Sequence, residues 1–228
     1  MAECVHCKDN TFPQMLLLID RAHDAADRIY HAIVATQSGE KMLMPVLEPY
    51  NTVGSSRYVD FDTTRDVYAT DAATCHVSHV VLDSNWEAKL AQSLEEMDEV
   101  LAYVKNQGLG FAIPYTINGA ERNYRPDYIV RIDDGHRTAS SAPSSPAGEG
   151  RGEGEPMVDP LHLIVEVTGE RRKDKAAKVR TARTLWVPAI NHHGGFGRWA
   201  FVEITDPWDA KNTIRAFLRR LKREAGTE

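Results

Sequence analysis

From Phe12 to about Ser38 the apolar residues Leu16, Ile19, Ala22, Ala26, Ile29 and Ile33 recur every three to four positions, and the run stops near Gly39. That spacing lines one helix face, so the pattern predicts an amphipathic helix whose apolar side needs a partner. The next stretch changes period. Met44-Pro-Val-Leu-Glu-Pro-Tyr50 holds two prolines and predicts an extended segment or edge strand. Arg57-Tyr-Val-Asp-Phe-Asp-Thr63 alternates apolar and polar side chains, which predicts a half-buried strand, with Asp66-Val-Tyr-Ala-Thr70 as its partner. Asp83-Ser-Asn-Trp-Glu87 then opens a helix, because Ser84 with Glu87 three positions later is a capping-box pair. Trp86, Leu90, Leu94, Met97 and Leu101 continue it as one apolar stripe, ending before Gly108.

Three strands are expected next: Gly110–Tyr115, Arg122–Ile132 and Leu161–Thr168, the last two rich in β-branched residues. Between them, at about residues 136–158, a Ser/Pro/Gly/Glu-rich insert lacks the apolar content to build a core. It reads as an expanded, disordered hairpin loop, and a long loop adds little closure entropy to the pairing of its flanking strands. A helix over about Glu170–Asn191, kinked or ended by Pro188, a strand at Trp199–Ile204 and a helix from Pro207 to about Lys222 complete the chain. From residue 84 the order is helix, three strands, helix, strand, helix. This predicts an α/β fold, a mixed sheet flanked by helices. Residues 81–228 form the main domain, residues 42–80 a small β-rich extension and residues 1–41 an N-terminal helical segment.

Composition narrows the class. With 228 residues, 42% of them apolar, the chain can bury one sizeable core, which excludes collagen-like, fully disordered and disulfide-scaffold classes. A net charge of −6 argues against a generic nucleic-acid coat and leaves room for a local basic face. Three cysteines, Cys4, Cys7 and Cys75, make no disulfide framework, so a reducing cytoplasm is the expected compartment. The early apolar run Met15–Ile19 is too short for a secretory h-region or a membrane span. No GxxxxGK[ST] phosphate loop occurs, so this sequence encodes no P-loop motor.

Two acidic residues carry the candidate chemistry. Glu166 interrupts an apolar strand, and a carboxylate there is costly unless it is paired or binds a metal. Asp127 follows Pro126, which favours an extended entry into the neighbouring strand. Two carboxylates converging at strand ends suit Mg²⁺, a hard cation that takes oxygen ligands and promotes attack on a phosphodiester. The plain alternative is that Asp127 caps a turn and Glu166 pairs with an arginine. Cys4-x-x-Cys7 with Cys75, His76 and His79 could supply zinc ligands, although no second CxxC exists. His192-His193 beside Gly194-Gly195 reads as a polar turn, and Trp86, Trp186, Trp199 and Trp208 read as core rather than base-stacking residues.

Pro126-Asp127, a spacer, then Glu166-x-Thr168 resembles the PD-(D/E)XK nuclease signature. Asp83-Ser-Asn-Trp-Glu87, Tyr103-Val-Lys-Asn106, Leu109–Tyr115, Tyr124–Arg131, Leu163–Gly169, Lys178 and Trp186–Asn191 are similar in order and spacing to the carboxy-terminal region of type III restriction enzyme Res subunits and of related DEAD/DEAH helicase-nuclease proteins. Glu48-Pro-Tyr50 and Gly54-Ser-Ser56 resemble the segment upstream, so the likeness spans roughly residues 45–210.

The resemblance implies a restriction-endonuclease-like αβββαβ core and a Mg²⁺-dependent endonuclease, with Mn²⁺ as a substitute ion. Asp127, Glu166 and the Val167 carbonyl would be ligands, and Glu87 would be an extra acidic residue near the metal, unless it serves only the capping box. The family pattern places Lys two residues after the Glu, where this chain has Thr168. Either Lys178, or Lys175 after it, reaches in from the following helix, or the chain is a catalytically degenerate DNA-binding or assembly module. Arg171, Arg172, Lys173, Lys175, Arg180 and Arg183 form a basic stretch expected to track duplex DNA, or else a solvated helix face. A second basic cluster runs from Lys211 to Arg223. The implied partners are a helicase/ATPase motor, against which the N-terminal helix could dock or of which it is a remnant, and a modification methyltransferase. A truncated fragment without independent activity is the third reading.

Overall fold

The computed structural model describes residues 22, 25–30, 43–47, 54–117, 120–138, 157–168 and 175–225. Residues 25–30 are helical, in keeping with the predicted N-terminal helix. The rest of that helix, the insert over 139–156 and the basic residues Arg171, Arg172 and Lys173 lie outside the described residues.

Four strands form the central sheet: β3 (Val100–Lys105), β6 (Tyr128–Ile132), β9 (Leu161–Val167) and β10 (Arg198–Ile204). Their order is β10-β9-β6-β3. β3 with β6 and β6 with β9 are antiparallel, while β9 with β10 is parallel. Smaller hairpins pair β1 (Val67–Ala69) with β2 (His79–Val81), β4 (Ile113–Ile117) with β5 (Ala120–Tyr124) and β7 (Arg137–Thr138) with β8 (Met157–Val158). The molecule is thus mixed α/β.

Strand alternation splits the core into two layers. Leu163 and Val165 point to one face, where they meet Leu90, Ala91 and Leu94 of α1 (Asn85–Glu95) and Ile214 and Leu218 of α4 (Ala210–Ala225). Ile164 and Phe201 point to the other face and pack with the β4–β5 hairpin (Ile113, Tyr115, Tyr124) and Ala182. Ala182 starts a π-helical segment (Ala182–Trp186) between α2 (Lys175–Thr181) and α3 (Val187–His193). Proline at position 188 has no N–H for a carbonyl one turn earlier, and the Val187 N–H instead bonds the Ala182 carbonyl, one residue beyond an α-helical partner. Gly194 ends α3 in the left-handed region, at φ 73°.

Three sequence expectations are corrected. The alternating run Arg57–Thr63 forms no strand: Ser56–Tyr58 is a 3-10 turn, and Val67–Ala69 pairs with His79–Val81 instead. The helix starting after Ser84 ends at Glu95, not near Gly108, because Val100-Leu-Ala-Tyr-Val-Lys105 carries a β-branched and aromatic alternation that joins the sheet. Leu101, assigned inward by helical spacing, is 40% exposed there. The single strand over Arg122–Ile132 is two strands broken at Arg125-Pro126-Asp127, where the chain leaves the hairpin and enters the sheet. The pairing of β6 with β9, with Arg137–Thr138 against Met157–Val158 beyond it, fits the expanded-hairpin reading of the insert.

Candidate functional site

The break at Pro126 sets Asp127 at the head of β6. Asn106 secures the turn: its backbone N–H donates to the Asp127 carbonyl at 2.8 Å, and its side-chain amide donates to the Phe111 carbonyl at 2.8 Å and the Pro126 carbonyl at 3.0 Å. β9 runs antiparallel to β6, with Tyr128 opposite Val165, so the end of β9 reaches Asp127. There the Val167 N–H donates to Asp127 Oδ2 at 2.7 Å. In an extended strand a residue's N–H and C=O lie along the same edge, so the Val167 carbonyl also faces β6. Glu166, one residue earlier, points to the sheet face opposite the Val167 side chain and accepts from the Tyr124 hydroxyl at 2.6 Å.

Electrostatics mark this pair. Burial raises the Asp127 carboxyl above its ordinary range; the Val167 N–H opposes the shift, Glu87 and Asp83 reinforce it, and Lys105 counters them. Burial and the neighbouring Asp127 charge push Glu166 up to about 7, against the Tyr124 hydrogen bond and the Lys178 and Lys175 charges. Two half-buried carboxylates therefore repel each other with too little positive charge nearby. Burial, with Glu166 close by, also raises the Tyr124 hydroxyl, which stays protonated and donating.

Asp127 and Val167 line an open cleft of about 230 Å³ with Ser84, Trp86 and Glu87. Glu87 completes the capping box, its Oε2 accepting from the Ser84 N–H at 2.6 Å and the Ser84 hydroxyl at 3.0 Å. The cap and the position beside Asp127 coexist in one residue.

Lys178 projects from α2 toward the Glu166 side, its Nζ 5.9 Å from the ring centroids of Tyr115 and Tyr124. Lys175 Nζ lies 2.6 Å from Glu203 Oε1. Arg183 stacks over Phe201 at 5.2 Å, and Arg180 is half-buried with its Nε buried and unbonded, so a phosphate contact through that nitrogen does not suit it. Trp208 corrects the core reading of the tryptophans: it is 61% exposed and meets Trp86 edge to face at 6.2 Å. Trp186 and Trp199 do pack, against each other and Phe111. Of the zinc candidates, Cys4 and Cys7 lie outside the described residues, Cys75 is buried, and His76 and His79 bond Ser56 and Ser78.

Sequence reasoning missed Tyr124, Lys105 and Glu203. Tyr124 precedes the Pro126-Asp127 pair by two residues, and Glu203 interrupts an apolar strand as Glu166 does; that shared pattern was the available signal. Lys105 lies in the Tyr103-Val-Lys-Asn106 segment, but a helix running to Gly108 gives its side chain no place at the site; its Nζ donates to the Val81 carbonyl at 2.5 Å.

Among the described residues, no three His, Cys, Asp or Glu side chains form a ready metal-binding group. Asp127, Glu166 and the Val167 carbonyl nonetheless offer oxygen donors with surplus negative charge, which fits a hard divalent cation. Among the described residues no helix is long and apolar enough to cross a membrane. No family model, curated protein or solved structure matches the chain.

Proposed function

We propose that this chain is a Mg²⁺-dependent DNA endonuclease domain with a restriction-endonuclease-like αβββαβ core, of the kind found at the carboxy-terminal end of type III restriction Res subunits. The observation that carries the reading is the pair Asp127 and Glu166, half-buried where β6 and β9 meet, each with its carboxyl raised by burial and neighbouring charge. The order α1, β3, β6, β9, α2–α3, β10 supports it.

Asp127, Glu166 and the Val167 carbonyl would hold the ion. When bound, Mg²⁺ supplies positive charge to the phosphate and lowers the pKa of water. The chain's own residues do the rest. Val167 N–H and Tyr124 hydroxyl each anchor one carboxylate oxygen, which fixes the donors before a substrate arrives. Lys178, beside Glu166, offers a positive charge to the phosphate. Glu87 shapes the cleft through its fixed side chain. The DNA grip would come from the basic stretch 171–183, with a helicase/ATPase motor and a modification methyltransferase as partners in the assembled system.

One observation favours a second reading, a degenerate DNA-binding or assembly module: Thr168 stands where the family pattern has Lys, and its hydroxyl is spent on Glu203 at 2.7 Å. Plasmid nicking with Mg²⁺ separates the two. An active protein nicks, Asp127→Ala abolishes it, and Lys178→Ala lowers it roughly a hundred- to a thousand-fold, the size of a lost preorganised charge, with DNA binding retained. Thr168→Lys then partly rescues Lys178→Ala. A silent wild type switched on by Thr168→Lys establishes the degenerate module. Undiminished nicking by Lys178→Ala removes Lys178 from the account.

A further inference from the structure

Glu203 lies in register with Glu166 on adjacent parallel strands, so the two side chains share one sheet face. Like charges side by side on neighbouring strands destabilise a sheet, so a second carboxylate at 203 calls for a partner of its own. The carboxylate is put to a definite use. A single oxygen, Oε1, accepts from the Thr168 hydroxyl at 2.7 Å and from Lys175 Nζ at 2.6 Å. Arg183 Nη2 stands 4.0 Å from the other oxygen. The lysine side chain is 18% exposed and the glutamate 22%, so the pair is partly shielded from solvent. A lysine stem has four flexible carbons; this anchor removes that freedom and sets the ammonium beside Thr168, two residues beyond Glu166.

We propose that Glu203 is a positioning residue, which through Lys175 fixes a positive charge beside Glu166 to receive a DNA phosphate. Glu203 does not touch the phosphate itself. The inference rests on the endonuclease reading for its consequence in cleavage, and on DNA binding alone for its consequence in affinity.

The test compares the full chain with Glu203→Gln, Lys175→Met and the double variant. Two quantities are read: kcat and KM for Mg²⁺-dependent plasmid nicking, and affinity for a duplex oligonucleotide in Ca²⁺. Circular dichroism melting identifies any variant that fails to fold, and Glu203→Met, which also removes the charge, then replaces Glu203→Gln; Glu203→Asp, which keeps the charge, retains more of the wild-type kcat than either. If Glu203 acts through Lys175, each single variant lowers kcat about tenfold or more. The double variant is then no slower than the slower single one, and Mg²⁺ half-saturation is unchanged. Wild-type kcat in either single variant, or a double effect equal to the product of the two, overturns the proposal. If wild type does not nick, the endonuclease reading fails separately and affinity decides. An equal loss of about threefold or more in both singles and in the double supports the positioning role; unchanged affinity in all three overturns it.

Discussion

Glu166 is the most strained carboxylate of the site. Its ordinary value is 4.5, and burial with Asp127 nearby raises it to about 7 in the folded protein. Between those values the folded state binds more protons than the unfolded chain, so this residue's contribution to stability falls as pH rises through that window. A shift of this size corresponds to about 3 kcal/mol, and Asp127, raised in the same direction, adds to it. Urea denaturation in EDTA from pH 5 to pH 8 checks this: the wild type loses stability relative to Glu166→Gln across the range, and Mg²⁺ restores it. Parallel profiles for the two proteins would contradict the strain at this site. A carboxylate inside an apolar strand drew attention to Glu166 in the sequence. Tyr124 was not legible in that way, because a tyrosine near a strand end is ordinary and only the packing of the β4–β5 hairpin on the sheet brings its hydroxyl to Glu166 forty-two residues on.

Among the elements, the β6–β9 hairpin forms the site, and its long insert leaves the pairing intact. The ladder holds Tyr128–Ile132 against Leu161–Val165, and Arg137–Thr138 meets Met157–Val158 beyond it. Replacing residues 139–156 with a short turn should therefore shift the melting temperature by no more than a few degrees. A large drop would show that the insert packs on the domain. The helix–strand boundary after Glu95 was hidden because Met97 and Leu101 extend the apolar stripe of α1 by chance of spacing, while the chain is already turning: the Val100 N–H bonds the Met97 carbonyl. The break at Pro126 was hidden because both flanking runs are extended and a proline is tolerated where a strand begins, although polar Glu121-Arg-Asn123 gives way to apolar Tyr128-Ile-Val130 across it. Pairing partners separate them: β5 takes β4, and β6 takes β3 and β9.

At the scale of the whole molecule, a net charge of −6 requires that any DNA grip be local. The acids Glu87 and Asp127 line the cleft with Asp83 acting on Asp127, and the basic side chains Lys175 and Lys178 stand on α2 and act on Glu166. Phosphates are expected on the α2 side. Replacing Arg171, Arg172 and Lys173 together by neutral residues should weaken duplex binding about equally for all sequences and flatten the salt dependence by roughly one unit of slope per lost contact. An unchanged slope would turn that stretch away from DNA. The far end of the sheet is held by a different device: Arg198 spans the buried Asp134 with both terminal nitrogens, at 3.0 and 2.5 Å, and bonds the Asp159 carbonyl. That clasp ties β10 to the loop after β6, and with it the sheet whose opposite end carries Asp127.

All of these scales meet in the claim that Asp127 and Glu166 share one divalent cation. Mn²⁺, which takes the same oxygen ligands and scatters anomalously, tests that claim directly in a crystal of the full chain. One anomalous peak is expected about 2–2.5 Å from a carboxylate oxygen of each residue and from the Val167 carbonyl, lost in Asp127→Ala. Well-ordered Asp127 and Glu166 with no peak between them at saturating Mn²⁺ would contradict it.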